Sequence, residues 1–346
     1  MNWRIVAVFA SMIPIIIIVI SFDIKLEDIL AVGVLPFIGA SLAMLAKLFF
    51  QGIKFAYISK QYLGEFDSVP KLAGVRMGSE FIKFTTPMFV GAEFVVIYYL
   101  HKKGIPSSKA SWIAILDIVT DVFGSSVLSI TAGILAIAHG AYVVAAVVLG
   151  TSFFISALWG TLFFLSSKKT FQVPKPISNI VIRFGKEKGE KYIEQSNLWM
   201  EEVCTMSRKN LRTDKSKKVF VNAFILSVIG WIFYGISFMI IAHGIGYTIE
   251  PFDSIMAVMG ANAIGNLPIT VGGSGLAEFG IVAYLNNLDP FNFQVPEKSI
   301  EWNAVIGWRI ATYYVPIGVT WILLVKLALI KYTRPEISKN DEKDNF

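Results

Sequence analysis

Leu267-Pro-Ile-Thr-Val-Gly-Gly-Ser-Gly-Leu-Ala-Glu-Phe279 is a glycine-rich break carrying one carboxylate, and it interrupts the strongly apolar region 253–287. In water such a loop is cheap. In lipid every broken backbone hydrogen bond needs another partner, so a break at membrane depth must be walled by protein or line a watery cavity. Composition argues for the second setting. Of 346 residues, 55% are apolar and only 16% charged, against roughly 25% charged in soluble domains. With a mean hydropathy of +0.61, the chain has the composition of a polytopic membrane protein. Cys204 is the single cysteine, which excludes an intramolecular disulfide and a cysteine metal cluster. His101, His139 and His243 fall near span ends and read as solvated interfacial residues.

A spanning helix needs about 20 mostly apolar residues, which predicts six full spans near 4–22, 29–50, 108–138, 142–166, 218–243 and 301–331. The first reads as a retained span, because no small-residue cleavage pattern follows it. Two apolar regions do not fit the template. In 71–101 a helical arm stops at Thr85-Thr86-Pro87 and a second runs on to Leu100, and in 253–287 the same happens around Pro268 and Gly272-Gly273-Ser274-Gly275. Each arm would cover only about 20–22 Å at 1.5 Å per residue, so both regions read as re-entrant hairpins.

Charge placement tests that topology. With the N-terminus in the cytoplasm, Lys54, Lys60, Lys71, Lys102, Lys103, Lys109, the 167–218 loop and the tail from Lys331 lie inside, leaving Lys25 and Lys298 outside. The loop alone carries 13 Lys/Arg against 6 Asp/Glu, a net +7. This is a positive-inside pattern, and it predicts a multi-pass cell-membrane protein with both termini cytoplasmic. It accounts for the net charge of +6 without nucleic acid, and it directs the loop toward anionic inner-leaflet lipid. Residues 1–331 then form one integral membrane domain, followed by a polar tail at 332–346.

The two hairpins enter from opposite sides, and both contain Ala-Glu-Phe, at 92–94 and 277–279. Opposed broken helices meeting at the midplane are a transporter signature. The expected fold is therefore all-α, with six spanning helices and two re-entrant helical hairpins in an inverted repeat. In the 167–218 loop, Ile177, Ile180, Val181 and Phe184 form a helical stripe continued by Tyr192, Trp199, Val203 and Met206 and interrupted by Gly185 and Gly189. An amphipathic helix on the inner membrane face fits this pattern.

Thr86-Pro87 and Ser274-Gly275 read as helix starts, with a capping hydroxyl and, at Pro87, a residue that needs no N–H. Half-helix N-termini aimed at the membrane interior would offer free N–H groups and a positive dipole end to an anion. Gly272, Gly273 and Gly275 either let a phosphate approach the backbone or only permit the turn and tight helix packing. Glu93 and Glu278 lie one or two turns into these half-helices. A charge at mid-bilayer costs roughly 2.5–3.5 kcal/mol, so each is functional or caps its own helix. Arg309 is the natural counter-charge for Glu278 and shares a face with Trp302, Ile306, Tyr313 and Pro316. Arg76, Ser79, Glu80 and Lys83 line one face of the first arm, and Asp117 and Asp121 share a face with Thr120, Gly124 and Ser125. The two aspartates would repel each other unless Lys83 or Arg76 lies between them, which points to a polar cavity. Lys47 and Lys326 fall near cytoplasmic span ends and are expected to snorkel.

No phosphate-binding loop, paired-histidine metal site or nucleophile elbow is present, and no soluble catalytic domain is expected. This argues against an ATP-driven pump and a conventional soluble enzyme. Pro-Ile-Thr-Val-Gly-Gly-Ser-Gly-Leu-Ala-Glu at 268–278 resembles the "P-x-x-x-G-G-x-G-x-x-E" signature of the lysylphosphatidylglycerol synthase/flippase transmembrane family. Thr86-Pro87 through Gly91-Ala-Glu93 is similar to its first-half counterpart, Arg309 to the arginine of the last span, and Asp121 to the acidic residue after the first hairpin. The arginines that family members carry after the first-half Gly-Glu and after that acidic residue are replaced here by Phe94-Val95-Val96 and by Val122.

The resemblance implies ATP-independent translocation of a phosphate-bearing lipid between leaflets. No cofactor, metal or catalytic residue is implied, and membrane lipids are the partners. Two other readings stay open. One is a membrane-embedded lipid-phosphate enzyme using Ser274 beside Glu278 and Arg309. The other is an accessory subunit that docks a cytoplasmic transferase through 167–218. Homo-oligomerisation is compatible with each.

Overall fold

The computed structural model describes residues 16, 27, 30–64, 66–86, 91–211, 213–267, 270, 273–286 and 300–329. Apart from Ile16, the expected span at 4–22 lies outside them, as do Pro87, Pro268, Gly272 and the tail at 332–346. Regular structure among the described residues is entirely helical. In chain order the helices are Val34–Leu63 (α1), Val69–Phe84 (α2), Ala92–Lys102 (α3), Ser107–Ala138 (α4), Tyr142–Ser166 (α5) and Lys175–Leu211 (α6). Then come Asp214–Gly244 (α7), Pro251–Gly265 (α8), Leu276–Leu285 (α9), Ile300–Arg309 (α10) and Val315–Leu329 (α11). A π-helical segment, Ile310–Tyr314, joins α10 to α11 without a break.

Five of these are long and apolar enough to cross a membrane: α1, α4, α5, α7 and Trp302–Leu327 of the last helix. They correspond to five of the six expected spans, with one difference of consequence. The second span was expected at 29–50, but α1 runs to Leu63. Gln51, Lys54, Tyr57 and Tyr62 of its polar extension reach tertiary partners, which a local count of apolar residues does not register. Lys54, expected in a cytoplasmic segment, is fully buried as a result.

α1 and α7 pack antiparallel. Gly39 faces Ile240, and a side chain at Gly244 would come within 2.7 Å of Pro36. Small residues permit such close helix approach where lipid supplies no hydrophobic drive. The regions expected at 71–101 and 253–287 form two antiparallel hairpins. In the first, Gly91 lies against Ile82, and Lys103 returns to within 3.5 Å of Asp67. In the second, Gly265 faces Ala277 and Gly280 packs on Ala261. The first opens at the Leu63 end of the bundle, where the Tyr62 hydroxyl meets that of Ser216 at 2.7 Å. The second opens at the Gly244 end, where Ser254 donates to the Gly235 carbonyl at 2.9 Å. Buried apolar clusters fill both halves, one around Phe238, Val258, Ile281 and Trp308, the other around Phe55, Leu72, Tyr99 and Trp112.

α6 is broken at Lys186, whose φ is 47°. Beyond the break it docks on the bundle: Trp199 donates to the Ser111 hydroxyl at 3.2 Å, and Ser207 meets Ser166 at 2.6 Å. Before the break, Ile177, Ile180 and Phe184 remain exposed.

Candidate functional site

Two buried charge centres lie inside the bundle. The first joins three helices. Arg76 of α2 pairs with Glu80 one turn on and with Asp117 of α4 at 2.7 Å. Lys54 of α1 lies between the two aspartates, 3.2 Å from Asp117 and 3.5 Å from Asp121. Gln51 donates to Asp121 at 3.1 Å, and Lys83 stands 3.8 Å from both Glu80 and Asp121. The sequence suggested Arg76 or Lys83 for the place between Asp117 and Asp121, but neither lies there: of the two aspartates, Arg76 reaches Asp117 alone and Lys83 reaches Asp121 alone. Lys54 takes the place between them, and its sequence position gave no hint of this.

The second centre belongs to the second hairpin and the last span. Arg309 Nε lies 2.9 Å from a Glu278 oxygen, and an Arg309 terminal nitrogen donates to the Ser274 hydroxyl at 3.0 Å. The guanidinium rests 4.0 Å over the Tyr313 ring, a cation–π contact strengthened by desolvation. Tyr313 in turn donates its hydroxyl to the Phe84 carbonyl at 2.6 Å. Ser274 and Phe84, one from each hairpin, therefore meet the last helix at Arg309, just before the π-helical stretch, and at Tyr313, within it. Such widened turns recur at functional sites because they re-aim side chains.

An aromatic bridge separates the centres. Lys47 of α1 places its ammonium 3.8 Å from the Trp231 ring centroid and 4.4 Å from that of Tyr234. Tyr234 packs at a tilt on Trp308, next to Arg309. The expectation that Lys47 snorkels is corrected here. It lies 13 residues from Val34 and 16 from Leu63, roughly 20 Å or more from either helix end, and is 5% exposed. The expected end at residue 50 had placed it near water.

The second hairpin's second helix starts at Gly275–Leu276, as expected, whereas the described second helix of the first hairpin starts at Gly91–Ala92 and not at Thr86-Pro87. Thr86 precedes residues 87–90, which lie outside the described residues, and its expected capping role falls there. Its hydroxyl donates back to the carbonyls of Ile82 and Lys83, and Thr85 does the same to Phe81. The second arm begins at Ala92 after Gly91, whose φ of 117° suits glycine. Glu93 and Glu278 lie in the first turns of α3 and α9, not deeper. Each accepts from the backbone N–H at its own helix start: Gly91 to Glu93 at 3.0 Å, and Gly275 to Glu278 at 2.8 Å. Of the two roles left open for these carboxylates, self-capping is the one seen. The N-terminal N–H groups are partly spent on them.

Asp117, Asp121 and Lys83 fall in the first centre, and Glu278, Arg309, Ser274, Gly273 and Gly275 in or beside the second. Glu93, Gly91 and Thr86 flank the first hairpin tip. An apolar groove of about 290 Å³ opens between the first hairpin and the last span, lined by Val75, Val95, Tyr98, Tyr99, Leu324 and Leu327.

Residues 5–319 match the family model described as "Lysylphosphatidylglycerol synthase TM region". No curated protein and no solved structure gives a significant match.

Proposed function

We propose that this chain, which belongs to the lysylphosphatidylglycerol synthase TM-region family, moves a phosphate-bearing lipid between leaflets without ATP. The observation that carries this reading is the meeting of two oppositely opening hairpins on one turn of the last span, through Arg309–Ser274 and Tyr313–Phe84. Read as re-entrant elements of an inverted repeat, they place polar groups at the bilayer midplane, reachable from either face as one hairpin or the other withdraws. Buried ion pairs in a membrane are costly and mark pathways by default. The apolar groove beside the first hairpin suits an acyl chain that stays in lipid while the headgroup crosses.

The enzymatic alternative needs a base beside Ser274. Among the described residues, its hydroxyl accepts from Arg309, while Glu278 is engaged by Arg309 and the Gly275 N–H. This arrangement favours holding a headgroup over attacking one. The exposed face of α6 remains available to the inner membrane surface or to a cytoplasmic transferase.

The test is headgroup accessibility in proteoliposomes containing fluorescent lipids. Wild-type protein should equilibrate the label between leaflets without ATP, and Glu278→Gln and Arg309→Lys should each slow this at least tenfold in monodisperse protein. Undiminished exchange in both variants would remove this centre from the pathway. Phosphate release from lipid diphosphates would replace transport with hydrolysis.

A further inference from the structure

Lys47 is the feature that the ion pairs leave over. In the first centre, Lys54, Arg76 and Lys83 answer Glu80, Asp117 and Asp121, and in the second Arg309 answers Glu278. Glu93 is half-buried and faces the N–H at its own helix start. Among the described residues no carboxylate lies within 4.0 Å of the Lys47 ammonium, although Glu80, Asp121, Arg76 and Lys83 all act on it electrostatically. Its neighbours are the faces of Trp231 and Tyr234. An ammonium has three N–H donors and no acceptor capacity. Aromatic faces answer its charge in part but supply no oxygen.

We propose that Lys47 receives an anionic phosphate oxygen, and that the site accordingly selects a monoanionic phosphodiester over a headgroup with net positive charge. The lipid as carrier of that phosphate rests on the transport reading above; the anion site itself does not. One surplus positive charge takes one negative charge. A cationic aminoacyl headgroup would bring a second ammonium against Lys47 in a medium of low dielectric, where like charges repel strongly. Access is set by the first hairpin. Met44 and Leu48, beside Lys47 on α1, pack on Phe81, Ile82 and Phe84 at the end of α2, so withdrawing that tip uncovers the turn carrying Lys47.

The experiment is native mass spectrometry of the full chain in detergent, titrated with phosphatidylglycerol, phosphatidylethanolamine and lysylphosphatidylglycerol, with inorganic phosphate as competitor. Wild type should retain phosphatidylglycerol at least tenfold better than the lysylated lipid. Lys47→Met should erase that preference while its melting temperature stays level or rises, since an unpaired buried charge has been replaced by a chain of similar length. Lys47→Arg should keep the preference. Displacement by millimolar phosphate would assign the site to the free anion; indifference to it would assign the site to the lipid. An unchanged preference in Lys47→Met, or a stability loss in Lys47→Met that Lys47→Arg restores with no change in preference, would overturn the proposal. Because binding is read without transport, lost exchange with intact Lys47-dependent selectivity would refute translocation alone.

Discussion

At the scale of single residues, the Arg309–Glu278 contact is the sharpest case. Both side chains are buried, and removing one partner from such a pair typically costs about 3–5 kcal/mol, because the other charge is left uncompensated. Glu278→Gln and Arg309→Met should each lower the melting temperature in detergent. The double variant should regain most of that loss while remaining inactive in lipid exchange, separating the pair's structural role from its functional one. Asp67, in the link between α1 and α2, gives a pH prediction. Burial pushes its carboxyl up, but the Tyr99 hydroxyl, Lys103 and Lys71 together hold it below the usual carboxylate range. A depressed carboxyl stabilises the fold above its unfolded pKa and loses that contribution as pH falls through the folded value. Thermal unfolding from pH 7 down to pH 3 should therefore show Tyr99→Phe losing stability at higher pH than wild type. Arg309, Glu278, Asp117 and Asp121 were legible because charges inside apolar runs stand out. Lys47 and Lys54 were not, because the apolar run was expected to end at residue 50, close to both, and only neighbours on α2, α4 and α7 show that the helix continues.

At the scale of elements, both breaks were legible from proline and glycine, but the restart of the first hairpin was not. Threonine hydroxyls serve a following helix as caps or bond back to carbonyls three and four residues earlier. Thr85 and Thr86 do the latter, and the next described residue is Gly91, at the start of α3. There a Cβ would meet the Ile82 side chain at 2.8 Å, and the positive φ adds strain. Gly91→Ala should destabilise the protein by about 1–3 kcal/mol, read as a lower unfolding midpoint with helical circular dichroism preserved before unfolding. A midpoint equal to wild type would mean that the tip refolds around the methyl group. The stripe in α6 was legible as a helix, whereas its fold-back at Lys186 depends on Gly189 approaching Val181 and has no local signature beyond the glycines themselves.

At the scale of the whole molecule, the topology expected from the charge pattern puts α6 on the cytoplasmic side. The basic α6 docks where α4 begins and α5 ends, through Trp199–Ser111 and Ser207–Ser166. In a Cys204→Ser background, Lys188→Cys should react with an impermeant maleimide only when the cytoplasmic face is exposed; labelling of intact cells would invert the topology. One consequence follows from Arg309 and Tyr313 standing a single turn apart, each holding a different hairpin. The last span is the common pin of a seesaw whose two leaves hang from the bundle's opposite ends. Tyr313→Phe cuts only the tie to Phe84, yet hydrogen exchange should quicken in α9 as well as around the first tip. Should α9 stay as protected as in wild type, the leaves swing separately. If it loosens, lifting one leaf loads the other, and on the transport reading proposed above a lipid would never be offered to both faces at once.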